Sequence, residues 1–283
     1  MQLCLNTSTL ANPSDPALGV EAKARLAAAA GCAQIEVWND ELTVWEQSGR
    51  DLAELRTIVA DAGLSVASVI SLRNWQDTDG AEYQAALDDT RRRMAQAAAV
   101  GAPRIVATPT IAWEHEPYHF DLERTAERYR VLLELGREFG VVPMMEFLGF
   151  VRSVYLLEQA VAIAQLADHP DACVVLDPFH LWRGGSGLRG VGRLPAELVG
   201  ICHFNDAPAD DPPRCEQRDA DRVYPGDGCL PLAAMLRALA ANGYDGPLSL
   251  ELFNPGYWAL APTENLRRGV AKTKAVLAEA GLA

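Results

Sequence analysis

The chain has 283 residues, 49% of them hydrophobic, with 25 basic against 38 acidic side chains and a formal net charge of −13. A mean hydropathy of −0.02 leaves room for a sizeable core, and the acidic balance argues against nucleic acid or an anionic membrane surface as the main partner, because both are bound through basic patches. The first residues, MQLCLNTSTL, carry neither a basic region nor a long apolar run, so no signal peptide is expected, and no run of about 18 apolar residues marks a membrane span.

Taken in order, the chain alternates short apolar runs with longer amphipathic ones. A strand at Gln2–Asn6 precedes an Ala-rich helix at about Leu18–Ala30, closed by Gly31. Strand two is Gln34–Trp38, followed by a helix at Arg50–Ala62 that Gly63 caps. Ser65–Ser71 is strand three, and Glu82–Val100 is a long helix stopped by Gly101 and Pro103. Strand four, Arg104–Thr108, leads to a helix at Asp121–Phe139, and strand five, Val141–Phe147, to one at Val154–Ala167. Cys173–Asp177 and Val199–Phe204 are strands six and seven, with only a short helix signalled between them near Pro195–Leu198. Leu230–Asn242 is a helix, Pro247–Leu252 strand eight, and Pro262–Ala280 the last helix. Repeated strand–helix units mean a parallel sheet. Eight of them in a chain of this length predict an α/β fold, a closed (β/α)8 barrel forming a single domain over residues 1–283. An open doubly wound sheet is the alternative.

Four of these strands end in groups that pack poorly. Glu146 lies near the end of strand five, Asp177 closes strand six, His203 lies near the end of strand seven, and Glu251 near the end of strand eight. Each alone could cap a loop or pair with an arginine. Four at equivalent positions on consecutive strands converge on the C-terminal mouth of a barrel, where clustered buried charge requires a cation. Three carboxylates and one imidazole make a hard, oxygen-rich ligand set that suits Mn²⁺ or Mg²⁺, with Co²⁺ and Zn²⁺ as further candidates. His180, three residues past Asp177, is placed on a loop over the site, where it could polarise a substrate oxygen. Arg222 lies in the turn-rich run DRVYPGDG after strand seven, suited to holding an oxyanion or hydroxyl. Trp38, Trp113, Phe179, Trp182 and Trp258 are candidates for an apolar wall, though each singly reads as core.

Other chemistries find little support. Gly185–Gly190 matches G-x-G-x-x-G, but it starts eight residues after a strand and opens onto more glycine, so it reads as a flexible loop and not a dinucleotide site. The three lysines, Lys23, Lys272 and Lys274, all fall on predicted helices, which disfavours Schiff-base chemistry. No G-x-S-x-G is present. The six cysteines form no C-x-x-C pair and read as free thiols in a reducing cytoplasm.

The segments EF at 146, LDPFH at 176, HFND at 203, DRVYPGDG at 221 and ELF at 251 together resemble the xylose-isomerase-like sugar isomerase/epimerase family. Within it the chain is most similar to the inosose isomerases, helped by LCLN at 3 and by the stretch from Glu251 to Trp258. The likeness runs over essentially the whole chain and departs from the family pattern in the early loops, at Trp38, Trp75 and Trp113. It implies a (β/α)8 barrel and one divalent metal, Mn²⁺ first, held by Glu146, Asp177, His203 and Glu251. It also implies substrate contacts from His180 and Arg222.

The expected activity is isomerisation or epimerisation of a polyhydroxy ketone, an inosose or ketose. Glu146 and Glu251 would move protons through an enediolate held by the metal. A dehydratase of the 3-dehydroshikimate or inosose kind is the alternative on the same barrel. An apurinic-site endonuclease shares the fold but would want more than five histidines and a basic face; a non-catalytic binding barrel would not need the paired glutamates. The expected partner is thus a small polyhydroxy ketone, with no nucleic acid and no membrane, and with self-association into a homo-oligomer left open.

Overall fold

A computed structural model of the chain describes residues 1–11 and 17–282. The predicted barrel is present. Eight parallel strands close on themselves in sequence order: β1 (Gln2–Asn6), β2 (Gln34–Trp38), β3 (Ser65–Leu72), β4 (Arg104–Ala107), β5 (Val142–Met145), β6 (Cys173–Leu176), β7 (Val199–Phe204) and β8 (Pro247–Leu250). Around them run α1 (Val20–Ala29), α2 (Asn39–Gln47), α3 (Leu52–Asp61), α4 (Gly80–Ala99), α5 (Leu122–Phe139), α6 (Leu157–Leu166), α7 (Pro178–Gly184), α8 (Leu188–Val191), α9 (Leu232–Ala241), α10 (Pro255–Trp258) and α11 (Pro262–Ala280). Period-two alternation sorts the strand residues into two cores. Cys4, Val106, Met144, Val175 and Ile201 fill the barrel axis. Their neighbours Leu5, Ile105, Met145, Val174 and Cys202 face the helices. Gly140 ends α5 at φ 68°, where a side chain would be strained, and its N–H returns to Arg137 and Gly136.

The departures from expectation lie beside the mouth. The stretch after β2 folds as α2, which the sequence reading left as a connection. Its cap is Glu41, whose Oε2 accepts the Trp38 N–H at 3.0 Å, and it buries Leu42 and Trp45. His180 sits on a helix, not a loop. Asp177 caps α7 by accepting the His180 N–H at 3.0 Å, and Pro178 occupies the first turn, where its missing N–H costs nothing. The glycine run at 185–190 feeds the short helix α8. The short helix expected near 195–198 is a single 3-10 turn, Ala196–Leu198. All six cysteines are free, four of them buried and Cys215 and Cys229 exposed. No helix among the described residues is long and apolar enough to cross a membrane.

Candidate active site

The six residues singled out in the sequence meet at the C-terminal mouth of the barrel. The loops after β3, β4, β5, β7 and β8 enclose a cavity of about 800 Å³ whose lining includes Glu146, His180, Arg222 and Glu251. At its floor, ligand atoms of Asp177, His203 and Glu251 all lie within 4.8 Å of one another. His203 Nδ1 is 3.1 Å from Glu251 Oε2 and 4.0 Å from Asp177 Oδ2. Glu146 stands at the edge of this trio, its Oε1 4.0 Å from the same nitrogen, and Thr108 Oγ1 donates to its other oxygen at 2.9 Å. The donor set fits a divalent cation. His203 Nδ1 is buried without a well-aligned hydrogen bond among the carboxylates of Glu251, Asp177 and Glu146, and carboxylates gathered in this way around one buried nitrogen call for positive charge at that point. Asp177, His203, Glu251 and, beside them, Glu146 are the residues that would hold it.

Arg222 reaches the site because its long loop is pinned. Asp206 accepts the N–H groups of Gly226, Gly228 and Leu230 and pairs as a bridge with Val223. The guanidinium then donates from Nη1 to Asp177 at 3.0 Å and Glu251 at 2.6 Å, and from Nη2 to Asp219 at 2.6 Å. Phe179 and Phe253 flank it. His180 Nδ1 accepts the Gly149 N–H at 3.2 Å, while its Nε2 faces Arg222 Nη2 at 2.9 Å.

These environments push the titrating groups apart. Burial first, then the nearby Glu251 and Asp177 charges, raise Glu146 to about 8 despite His203. Burial also works on Glu251, but His203 and Arg222 overcome it and hold that carboxyl at about 2. Burial and Arg222 push His180 down to about 3, so its imidazole stays neutral. Burial opposes charge on His203 too, yet Glu251 and Glu36 raise it well above the usual value. Burial raises Asp177 against the pull of Arg222.

The aromatic wall is partly different from the one expected. Trp38 and Trp113 line the cavity, joined by Phe150 and Phe253. Trp38 meets Phe253 edge-on at 5.8 Å, and Trp113 stacks on Phe150 at 6.0 Å. Phe179 is fully buried beneath Arg222. Trp182 lines a separate cleft with Arg214, and Trp258 turns its Nε1 to Ser8 O at 2.8 Å. Neither lines the main cavity.

Reading the sequence missed Glu36 altogether. It lies mid-strand in β2 and is fully buried. The signal available was a carboxylate between Ile35 and Val37, where an inward charge demands partners.

The chain matches the family model described as xylose isomerase-like TIM barrel over residues 24–276. It is 27% identical over 230 residues to an inosose isomerase of Halalkalibacterium halodurans, covering 81% of this chain and 80% of that one. It is 31% identical over 240 residues to a 3-dehydroshikimate dehydratase of Pseudomonas aeruginosa, covering 83% of this chain but only 36% of that longer protein. Among solved structures, one described as IOLI protein with a binding zinc atom superposes with a TM-score of 0.88 at 24% identity, covering 99% of both chains. With a barrel closed in strand order and a family match spanning most of its length, the chain belongs to the xylose isomerase-like TIM barrel family.

Proposed function

We propose that this chain is a divalent-metal-dependent isomerase or epimerase of a small polyhydroxy ketone, an inosose or ketose, working in a reducing, cytoplasmic setting that suits its free thiols. The observation that carries the reading is the cluster at the mouth, where ligand atoms of Asp177, His203 and Glu251 lie within 4.8 Å of one another and a second glutamate, Glu146, stands beside them on the same cavity. Two carboxylates facing one cavity from strands five and eight suit a pair that takes and returns a proton. Asp177, His203, Glu251 and Glu146 would hold a divalent ion, Mn²⁺ the first choice by donor type, which would supply Lewis acidity to a substrate carbonyl. Glu251, ionised, takes the proton beside the carbonyl through one carboxylate oxygen. Glu146, through its own free oxygen, returns one at the neighbouring carbon or the opposite face. Arg222 and neutral His180 hold substrate oxygens, and the Trp38–Phe253 and Trp113–Phe150 pairs lie against the ring. In D₂O with Mn²⁺ and a panel of inososes and ketohexoses, NMR should show deuterium entering beside the ketone. Glu251→Gln should slow that exchange by about 10²–10⁴-fold, the usual cost of losing a general base. Rapid conversion without deuterium uptake would sink the proton-transfer mechanism.

A dehydratase on the same site is the second reading, favoured by one feature of the cavity. Arg73 and Arg218 both line it, each held by a single carboxylate contact at 3.3 Å, to Asp40 and Glu114. Two partly free guanidiniums suit a substrate with a carboxylate. Loss of water from a cyclic hydroxy-keto acid, followed by mass, separates this reading from isomerisation.

A further inference from the structure

Beneath the proposed metal ligands lies a layer of polar side chains that the reaction does not touch. In a barrel, residues in register on neighbouring strands share a face, and Asn6, Glu36 and Ser68 are aligned across β1, β2 and β3. His203 and Ser249 are aligned across β7 and β8. All five are fully buried, so every polar atom needs a partner. Glu36 supplies most of them. Its Oε1 takes the Ser68 hydroxyl and faces His203 Nε2 at 3.2 Å. Its Oε2 accepts from Asn6 Nδ2 at 2.9 Å and Ser249 Oγ at 2.6 Å. Asn6 Nδ2 also donates to Glu251 Oε1 at 2.9 Å, and Asn6 Oδ1 accepts from Trp38 Nε1 at 3.0 Å. One carboxylate, with about four lone-pair sites, thus meets four donors and ties His203, Glu251 and the cavity wall into one network.

We infer that Glu36 is a positioning residue of the metal centre: by accepting the His203 Nε2–H it leaves Nδ1 as the nitrogen that ligates, and it fixes the ring's plane. This rests on the metal site proposed above. Histidine ligands are commonly held in this way, by a carboxylate on the nitrogen away from the metal, and the loss of such a partner weakens metal binding. An amide replaces it only in part. Gln at position 36 keeps one oxygen; its NH₂ can donate to a serine hydroxyl on either side, but it then also faces either His203 Nε2–H or Asn6 Nδ2, neither of which accepts.

The test separates this inference from the reading beneath it. Metal-free wild type, titrated with Zn²⁺ against a chromogenic chelator, should take up one ion, and Asp177→Ala should take up none tightly. No uptake by wild type would overturn the metal site itself. Glu36→Gln, shown to be folded by its melting curve, should bind the ion about 10- to 100-fold more weakly; affinity equal to wild type would overturn the role of Glu36 alone. A measurement on the wild type does not depend on how the variant folds. Long-range ¹H–¹⁵N spectra of the Zn²⁺-loaded protein, with His203 assigned by comparison with His203→Gln, should place its proton on Nε2, shielded from exchange. A proton on Nδ1, with the ion on Nε2, would overturn the assignment.

Discussion

Arg222 is where the charges of the site converge. Fully buried, it meets Asp177, Glu251 and Asp219 with one flat fork of donors. Truncating it would leave buried carboxylates unpaired, a loss of about 3–5 kcal/mol in comparable pairs. Arg222→Ala should therefore lower turnover strongly and reduce the melting temperature, while metal content by elemental analysis stays near one per chain. Arg222→Lys should rescue little, because an ammonium cannot span the same oxygens. Wild-type kinetics in either variant would put the loop outside the catalytic site. Arg222 was legible because it sits in a turn-rich run after a strand. Asp177, His203 and Glu251 were legible because charge at a strand tip is conspicuous. Glu36, Asn6, Ser68 and Ser249 were not. Their partners in the layer lie 30 to 245 residues away, and nothing local marks a serine or a mid-strand glutamate as a member of such a layer.

The strands were readable because parallel, doubly buried strands are dense in β-branched residues and end at Gly, Pro or charge. The helices at the mouth were harder. Asp177-Pro178 is a helix start by cap and proline, but the same residues also read as a functional motif at a strand tip, and the two signals overlap. Asn39–Gln47 follows β2 with no turn residue between them. Packing in this region leaves little slack. A Cβ on Gly149 would stand 2.6 Å from the Gly184 nitrogen, 2.7 Å from the His180 carbonyl oxygen and 2.8 Å from Arg183 Cβ. Two of these are backbone atoms of α7, so the helix itself would have to move. Gly149→Ala should cost about 1–3 kcal/mol, as overpacked sites do. Because the Gly149 N–H also holds His180, turnover should fall further than stability alone explains. Thermal melts and kinetics on the same preparation check both. A variant with normal turnover would show that the seat of α7 is not tuned for His180.

At the scale of the whole molecule, the proposed metal and the proton compete for the same buried site, which links ion binding, pH and stability. In the metal-free protein Glu146 holds its proton up to about 8, against the ordinary 4.5. A folded-state value above the unfolded one means that its contribution to stability is whole below about 4.5 and is lost as the pH rises through 8. His203, also raised, must give up its Nδ1 proton for an ion to bind, so it acts in the same direction. Metal binding should therefore release protons below pH 8, and apparent affinity should climb with pH. At 100 times the dissociation constant an ion adds about 2.7 kcal/mol, roughly 5 °C in a chain of this size. With Mn²⁺ fixed, that gain in melting temperature over an EDTA-treated control should grow from pH 6 to pH 8. Each proton displaced is worth about 1.4 kcal/mol per pH unit, enough to see in a thermal scan. Glu146→Gln should flatten the slope by one proton's share while leaving that of His203. Should Glu146→Gln keep the full wild-type slope, Glu146 does not share its site with the ion, and the ligand set reduces to Asp177, His203 and Glu251.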